Sequence, residues 1–286
     1  MLLIWAIQRI ERYEGEVRVV ASKEGKHGVQ SFEIGMQIAK SLLDGRPAMM
    51  LKDIAEASGL PTPKTHRYLV SMIRAGLVVQ DPVTSRYDLG PLALQIGLAA
   101  MDRIDHIQLG LSAIADLRDE LNEATALATW TENGPTVLRW ERPHRPISLS
   151  VTMGNSLPLL TTASGRAFAA YLPQDRLKAL LDAEMHDSSF PRSLRSKAAI
   201  ARMFEGVRRE GLAVVDENHM MSGVVSIGGP VFNAANNVTL VMTVIGIDGL
   251  LDVGAKSPIA QALRKATRRL SERLGYRPER AATKTA

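Results

Sequence analysis

Lys64, Arg67, Ser71 and Arg74 follow one another at three- and four-residue steps, with His66 beside them. On a helix such steps bring cationic and hydrogen-bonding side chains to one side. That side suits a polyanion: guanidinium and ammonium groups meet phosphates or the acceptor edge of guanine, and hydroxyl and imidazole groups add short-range hydrogen bonds. No acidic residue occurs from Ala57 through Gln80, so nothing in this stretch would repel a phosphate backbone. A basic helix face exposed only to water is the plainer reading of the same residues.

A second set of polar residues lies in the C-terminal half. Thr162-Ala163-Ser164-Gly165 puts small residues at the start of a helix, where backbone N–H groups and the helix dipole favour an anion. Close helix–sheet packing is the alternative use of such residues. Asp216, Ser226 and Thr243 interrupt otherwise apolar strand sequence, and polar side chains in a half-buried sheet need partners, either a ligand or neighbouring backbone. Leu149, Leu157 and Val224 would supply apolar walls. The chain has no G-x-S-x-G, S-x-x-K, Walker A or G-x-G-x-x-G motif, and its six histidines show no zinc-type spacing. An enzyme reading would rest on Asp216 and His219 as an acid–base pair. No cofactor or metal is expected.

The elements that would carry these residues can be read from periodicity. Leu51, Ile54, Ala55 and Ser58 predict a helix that Gly59 ends; Leu60 plugs the turn; Thr62 would cap a second helix with Pro63 in its first position and Leu69, Met72 and Ile73 as its buried stripe. Leu77–Val79, a turn at Asp81-Pro82 and Tyr87-x-Leu89 read as a hairpin, which makes the unit a winged helix-turn-helix with Arg86 near the wing tip. Ahead of it, Ser31 would cap a helix burying Phe32, Met36, Ala39, Leu42 and Leu43. After it, Gly90-Pro91 opens a connector helix to about Arg103. Residues 105–275 read as an α+β domain, with a helix through Leu111–Leu121 and strands at 126–131, 136–141, 147–151, 212–215, 223–231 and 238–245. A hairpin turn is read at Asn133-Gly134-Pro135, and helices at 161–173, 174–184, 196–210 and 259–274.

The chain has 286 residues, room for two domains, with 45% hydrophobic content and no apolar run of membrane-spanning length. The absence of cysteine excludes disulfides and thiolate sites and fits a cytoplasmic setting. The net charge of +5 is uneven: residues 256–286 hold nine basic against two acidic side chains, whereas residues 105–255 are net acidic. The DNA-binding reading therefore rests on local placement, not on overall charge. Met1–Ile7 is apolar and is followed directly by Gln8-Arg9, the reverse of a signal peptide, so residues 1–27 read as an extension.

Taken together, the order and spacing of several motifs resemble the IclR family of bacterial transcription regulators. The resemblance runs from about Gly28 to Leu274. It is carried by Val29-Gln30-Ser31-Phe32, Ile54-Ala55 with Gly59-Leu60-Pro61, Arg67-x-Leu69, Gly76-Leu77-Val78 and Tyr87-x-Leu89-Gly90. In the second domain it is carried by Leu157-Pro158-Leu159, Ala163-Ser164-Gly165-Arg166-Ala167, and Gly223 through Phe232-Asn233. It implies an N-terminal winged helix-turn-helix (28–90) joined by a linker helix (91–104) to a GAF-like effector-binding domain (105–275), an antiparallel sheet flanked by helices, with a tail at 276–286. It further implies a homodimer or dimer of dimers on palindromic double-stranded operator DNA, controlled by a small organic acid. The carried-over effector positions are Leu149, Leu157, Ala163, Ser164, Asp216, Val224, Ser226 and Thr243. Asn218-His219, Ser226 and Ile245 depart from residues seen in other members. The DNA-facing set is Lys52, Thr62, Pro63, Lys64, Thr65, His66, Arg67, Ser71, Arg74 and Arg86. The resulting expectation is a repressor that responds to a carboxylate-bearing metabolite, with activation as the alternative. An enzyme or a sensor that never touches DNA stands further off.

Overall fold

The computed structural model describes residues 28–44, 47–144, 153–186, 195–216 and 223–278. They belong to two compact units that divide after Arg103.

The first unit contains α1 (Gln30–Asp44), α2 (Leu51–Ser58), α3 (Thr62–Arg74), β1 (Val78–Gln80), β2 (Tyr87–Leu89) and α4 (Pro91–Arg103). Its core is Ile38, Leu42, Ile54, Leu69, Met72, Val78 and Tyr87. Gly59 takes φ +65°, and its N–H bonds back to α2, so the chain reverses in a conformation that glycine adopts without strain. The α1 stripe differs from the sequence expectation: Ile34, Ile38 and Leu42 face the core, whereas Phe32 and Met36 are 68% and 40% exposed. Apolar residues lie on both sides of α1, so four-residue spacing fits two stripes, and the tertiary contacts choose between them. Ser31 lies inside α1, and Pro61, not Thr62, is the N-cap of α3; its extended φ −61°, ψ 139° moves Pro63 to the second helical position. β1 and β2 pair antiparallel, Val78 opposite Leu89 and Gln80 opposite Tyr87.

The second unit runs α5 (His106–Leu121), β3 (Ala124–Thr131), β4 (Gly134–Glu141), α6 (Ala163–Ala169), α7 (Gln174–His186), α8 (Lys197–Glu210), β5 (Ala213–Val215), β6 (Val224–Phe232), β7 (Val238–Ile247) and α9 (Pro258–Arg273). The strands form one antiparallel sheet in the order β4-β3-β7-β6-β5. One face buries Leu127, Val225, Ile227, Met242 and Val244 against Ile114 and Leu117 of α5 and Leu263 and Leu270 of α9. The opposite face takes α6 and α8, with Phe168, Ala167 and Val207 against Ala128, Ala213 and Val241. Gly134 and Pro135 belong to β4, leaving Glu132 and Asn133 as a two-residue hairpin loop in place of the expected Asn133-Gly134-Pro135 turn. The expected strand at 147–151 lies outside the described residues, as do the whole N-terminal extension (1–27) and residues 279–286 of the tail.

Candidate functional sites

The first candidate is α3. Burying Leu69 and Met72 leaves Thr62, Pro63, His66, Arg67, Ser71 and Arg74 exposed and Lys64 half-buried. Among the described residues no ion pair engages Lys64, Arg67 or Arg74, so their charge is available to a partner. Ser71 Oγ donates to the Arg67 carbonyl at 3.2 Å, and Lys52 is exposed on α2. Thr65 corrects the sequence reading. It is fully buried, and its hydroxyl donates to the Pro61 carbonyl at 3.2 Å, so it closes the first turn and does not face outward. Its position four residues before Leu69 puts it on the core stripe.

Arg86 lies beside the wing tip, where the sequence reading put it. The wing tip is Pro82–Ser85, and Arg86 is on the returning side, exposed, with Nη1 donating to the Ala48 carbonyl at 2.9 Å. The tip is held by Asp81, whose carboxylate accepts N–H bonds from Val83 and Thr84, both at 2.8 Å. Those two bonds, Thr84 first, hold the Asp81 carboxyl below its ordinary range. Val83 at the tip is 90% exposed.

The second candidate is on the sheet face beneath α6. Antiparallel pairing sets Trp140, Ala126, Thr243, Gly228 and Ala213 in one row across all five strands, and Ala124, Ile245, Ser226 and Val215 in the next row on the same face. α6 lies directly on this face. A Cβ at Gly228 would sit 2.9 Å from the Ala163 carbonyl oxygen. Ser164 then reaches Thr243, their hydroxyl oxygens 2.8 Å apart and both residues buried. Ala163, Ser226 and Val224 are buried beside them, and Leu157 is half-buried with its N–H donating to Pro135. Five predicted positions, Ala163, Ser164, Val224, Ser226 and Thr243, thus meet at one face. Asp216 does not join them: it is exposed, one residue beyond the end of β5. Leu149 and His219 lie outside the described residues.

The small residues of α6 serve close packing. A Cβ on Gly165 would come within 2.1 Å of the Pro158 carbonyl oxygen and 2.6 Å of Leu159 Cα, and its N–H is taken by Thr162 Oγ1 at 2.9 Å. Ala163 and Ser164 are buried and the Gly165 N–H is already bonded, so these small residues pack α6 closely on the sheet, the alternative use that the sequence allowed.

Two side chains that the sequence did not single out hold the loop ahead of α6. Glu184 of α7 accepts N–H bonds from Leu159 and, at 3.0 Å, from Leu160. Burial pushes its carboxyl above the ordinary value, and the two N–H bonds only partly oppose this. Arg166 donates Nε to the Leu160 carbonyl at 2.7 Å and Nη1 to Val214 at 2.6 Å; burial lowers its pKa against the opposing field of Asp216. A third unforeseen residue is Trp140, whose buried indole nitrogen has no hydrogen-bond partner among the described residues. Its face was hidden in the sequence by a bulge: Leu127 pairs with Arg139 but Ala128 with Val137, which breaks the alternation of β4. Among the described residues no group of three or more His, Asp or Glu side chains could hold a metal ion, and no helix is long and apolar enough to cross a membrane.

A helix-turn-helix with a basic exposed second helix and an antiparallel ribbon, followed by an α+β unit, defines a DNA-binding transcription regulator. The chain belongs to the IclR family: residues 31–82 match the IclR helix-turn-helix domain and residues 98–272 the bacterial transcriptional regulator IclR C-terminal domain. The family is made of transcriptional regulators. Over 249 residues the chain is 25% identical to the HTH-type transcriptional regulator XynR of Escherichia coli K12, covering 87% of this chain and 98% of that one. It is 22% identical over 209 residues to the transcriptional repressor IclR of the same organism, covering 72% and 76%. Among solved structures, Pseudomonas aeruginosa HmgR is 37% identical with a TM-score of 0.79, covering 87% of this chain and all of that one. An IclR homolog from Microbacterium hydrocarbonoxydans, complexed with 4-hydroxybenzoate, is 18% identical with a TM-score of 0.50, covering 85% and 98%.

Proposed function

We propose that this regulator is a repressor whose hold on operator DNA is altered by a small carboxylate-bearing metabolite bound in the second unit. The observation that carries the effector half is the buried Ser164–Thr243 hydroxyl pair on a sheet face whose other residues are uncharged: alanine, glycine and aliphatic side chains, with Ser226 and Trp140. Uncharged donors in an apolar setting suit an oxygen-bearing ligand of modest size. The repressor relatives and the neighbour solved with 4-hydroxybenzoate support this reading. Ala163, Ser164, Val224, Ser226 and Thr243 would contact the ligand, with Leu157 at the margin.

On the DNA side, Thr62, Pro63, Lys64, His66 and Arg67 would meet base edges, and Lys52, Ser71, Arg74 and Arg86 the phosphates. Exposed apolar residues at the start of α1 (Val29 just before it, Phe32 and Met36 on it) and on α4 (Leu94, Ile96, Leu98) favour a homodimer, the assembly that a two-fold operator requires. The protein would work in the cytoplasm, by binding rather than by catalysis.

The test is a titration of DNA from upstream of its own gene and the adjacent divergent gene, at two salt concentrations, with and without small carboxylic acids. Tight, sequence-dependent binding that one acid weakens is expected. Binding that ignores sequence and every acid would overturn the reading.

A further inference from the structure

We infer that Trp140 is a ligand contact of the second unit: its indole N–H donates to an oxygen of the effector, which lies over Ala126 between Trp140 and the Ser164–Thr243 pair. This rests on the effector reading above and adds to it a residue and a constraint on ligand chemistry.

Three observations converge. First, the Trp140 indole nitrogen is shut off from solvent and has no acceptor among the described residues. Buried donors nearly always find a partner, and indole can only donate, so a missing acceptor points to a molecule that supplies one. Second, the sheet register fixes where Trp140 stands. It pairs with Ala126, which pairs on its other side with Thr243, so all three side chains share the face under α6. Neighbouring strands are about 4.8 Å apart, which puts the Trp140 and Thr243 backbones roughly 10 Å apart. The residue between them is an alanine, and Ala124 stands in the adjoining row, so only methyl groups occupy the floor. Third, Trp140 is not part of either hydrophobic core that packs on the sheet, whereas Trp130 is built into both clusters around α6 and α7.

The hydroxyl pair completes the argument. When two hydroxyls bond to each other, one hydrogen is spent and the other stays available. Neither the Ser164 nor the Thr243 hydroxyl makes a further hydrogen bond among the described residues. The face therefore presents two uncommitted donors, one at each end of an alanine floor. The complementary ligand has an oxygen acceptor at each end: a carboxylate at one and a hydroxyl or carbonyl oxygen at the other, with a flat body between.

The full-length protein, labelled with 15N at its indole nitrogens, would be titrated with 4-hydroxybenzoate, benzoate and pyruvate. The Trp140 indole resonance, assigned with Trp140→Phe, should move downfield with the two-ended acid while that of Trp130 stays in place. Trp140→Phe should weaken binding of that acid about tenfold, the loss of one hydrogen bond to a charged acceptor. If Ser164→Ala or Thr243→Val weakens binding but Trp140→Phe does not, and the Trp140 resonance is static, the Trp140 contact is overturned and the effector reading stands. If none of the three acids binds the unmodified protein, both fall. Should Trp140→Phe fail to fold, the wild-type titration decides, with the resonances assigned by Trp130→Phe and Trp5→Phe.

Discussion

The two candidate sites are built on opposite plans. α3 displays charge in water: Arg67 and Arg74 are exposed and in no ion pair among the described residues, on a helix anchored by Leu69 and Met72. The sheet face under α6 hides neutral hydroxyls, with Ser164 and Thr243 buried and bonded to each other. The contrast suits the partners proposed for the two sites. A duplex carries its own charge to the surface of the protein and is met by charge there, at a strength set by salt. A small acid must be stripped of water, and donors kept out of water gain strength in the low dielectric. One site comes from a single helix of thirteen residues; the other joins residues 79 positions apart through strand register.

Six substitutions would sharpen or break this contrast. Phe168→Ala, in the fully buried side chain that packs edge-on to Trp130 at 5.7 Å, should destabilise the second unit by about 3–5 kcal/mol in denaturant unfolding followed by Trp130 fluorescence. A loss below about 1 kcal/mol would mean that α6 does not depend on this core. Arg67→Ala should cost about 1–3 kcal/mol of operator affinity and relax preference at one base pair. Equal weakening on every sequence, with a salt slope lower by about one, would reassign Arg67 to phosphate; Lys64→Ala is expected to give that second pattern.

Thr243→Val alone should destabilise by about 1 kcal/mol, because it strands the Ser164 hydroxyl. Adding Ser164→Ala should recover much of that loss while leaving DNA affinity without ligand unchanged. Strictly additive losses would show that the two hydroxyls do not act as a pair. The smallest effect is on pH dependence. Glu184 has its carboxyl raised in the folded state, so its contribution is complete below the ordinary glutamate range and is lost as pH rises through the folded value. Glu184→Gln should flatten that fall in melting temperature, and an unchanged slope would remove Glu184 as its source.

The contrast also explains what could be read in advance. α2, α3 and the ribbon were legible because their signals are local: Gly59 stops a helix, and Leu69 and Met72 set its inner side. Thr65 was misplaced because a small hydroxyl residue fits either side of a helix, and only the packing shows that it lies inward. Phe32 and Met36 were misassigned for a related reason, since α1 has two apolar stripes. In the second unit the strands could be read, but not which strand neighbours which. Without the order β4-β3-β7-β6-β5, nothing places Trp140 in a row with Thr243. Glu184 gave no signal at all, because its partners are backbone N–H groups at Leu159 and Leu160.

The wing is shaped by the chain itself. Asp81 ties down the N–H groups of Val83 and Thr84, Asp81 N–H bonds the Arg86 carbonyl at 2.8 Å, and Gln80 reaches Ser85. The tip is thus fixed by contacts within the ribbon and needs no duplex to shape it. The entropy of ordering this loop is lost when the chain folds, not again when it docks. Association at the wing should then be limited by finding the right orientation on the DNA, with no folding step after first contact.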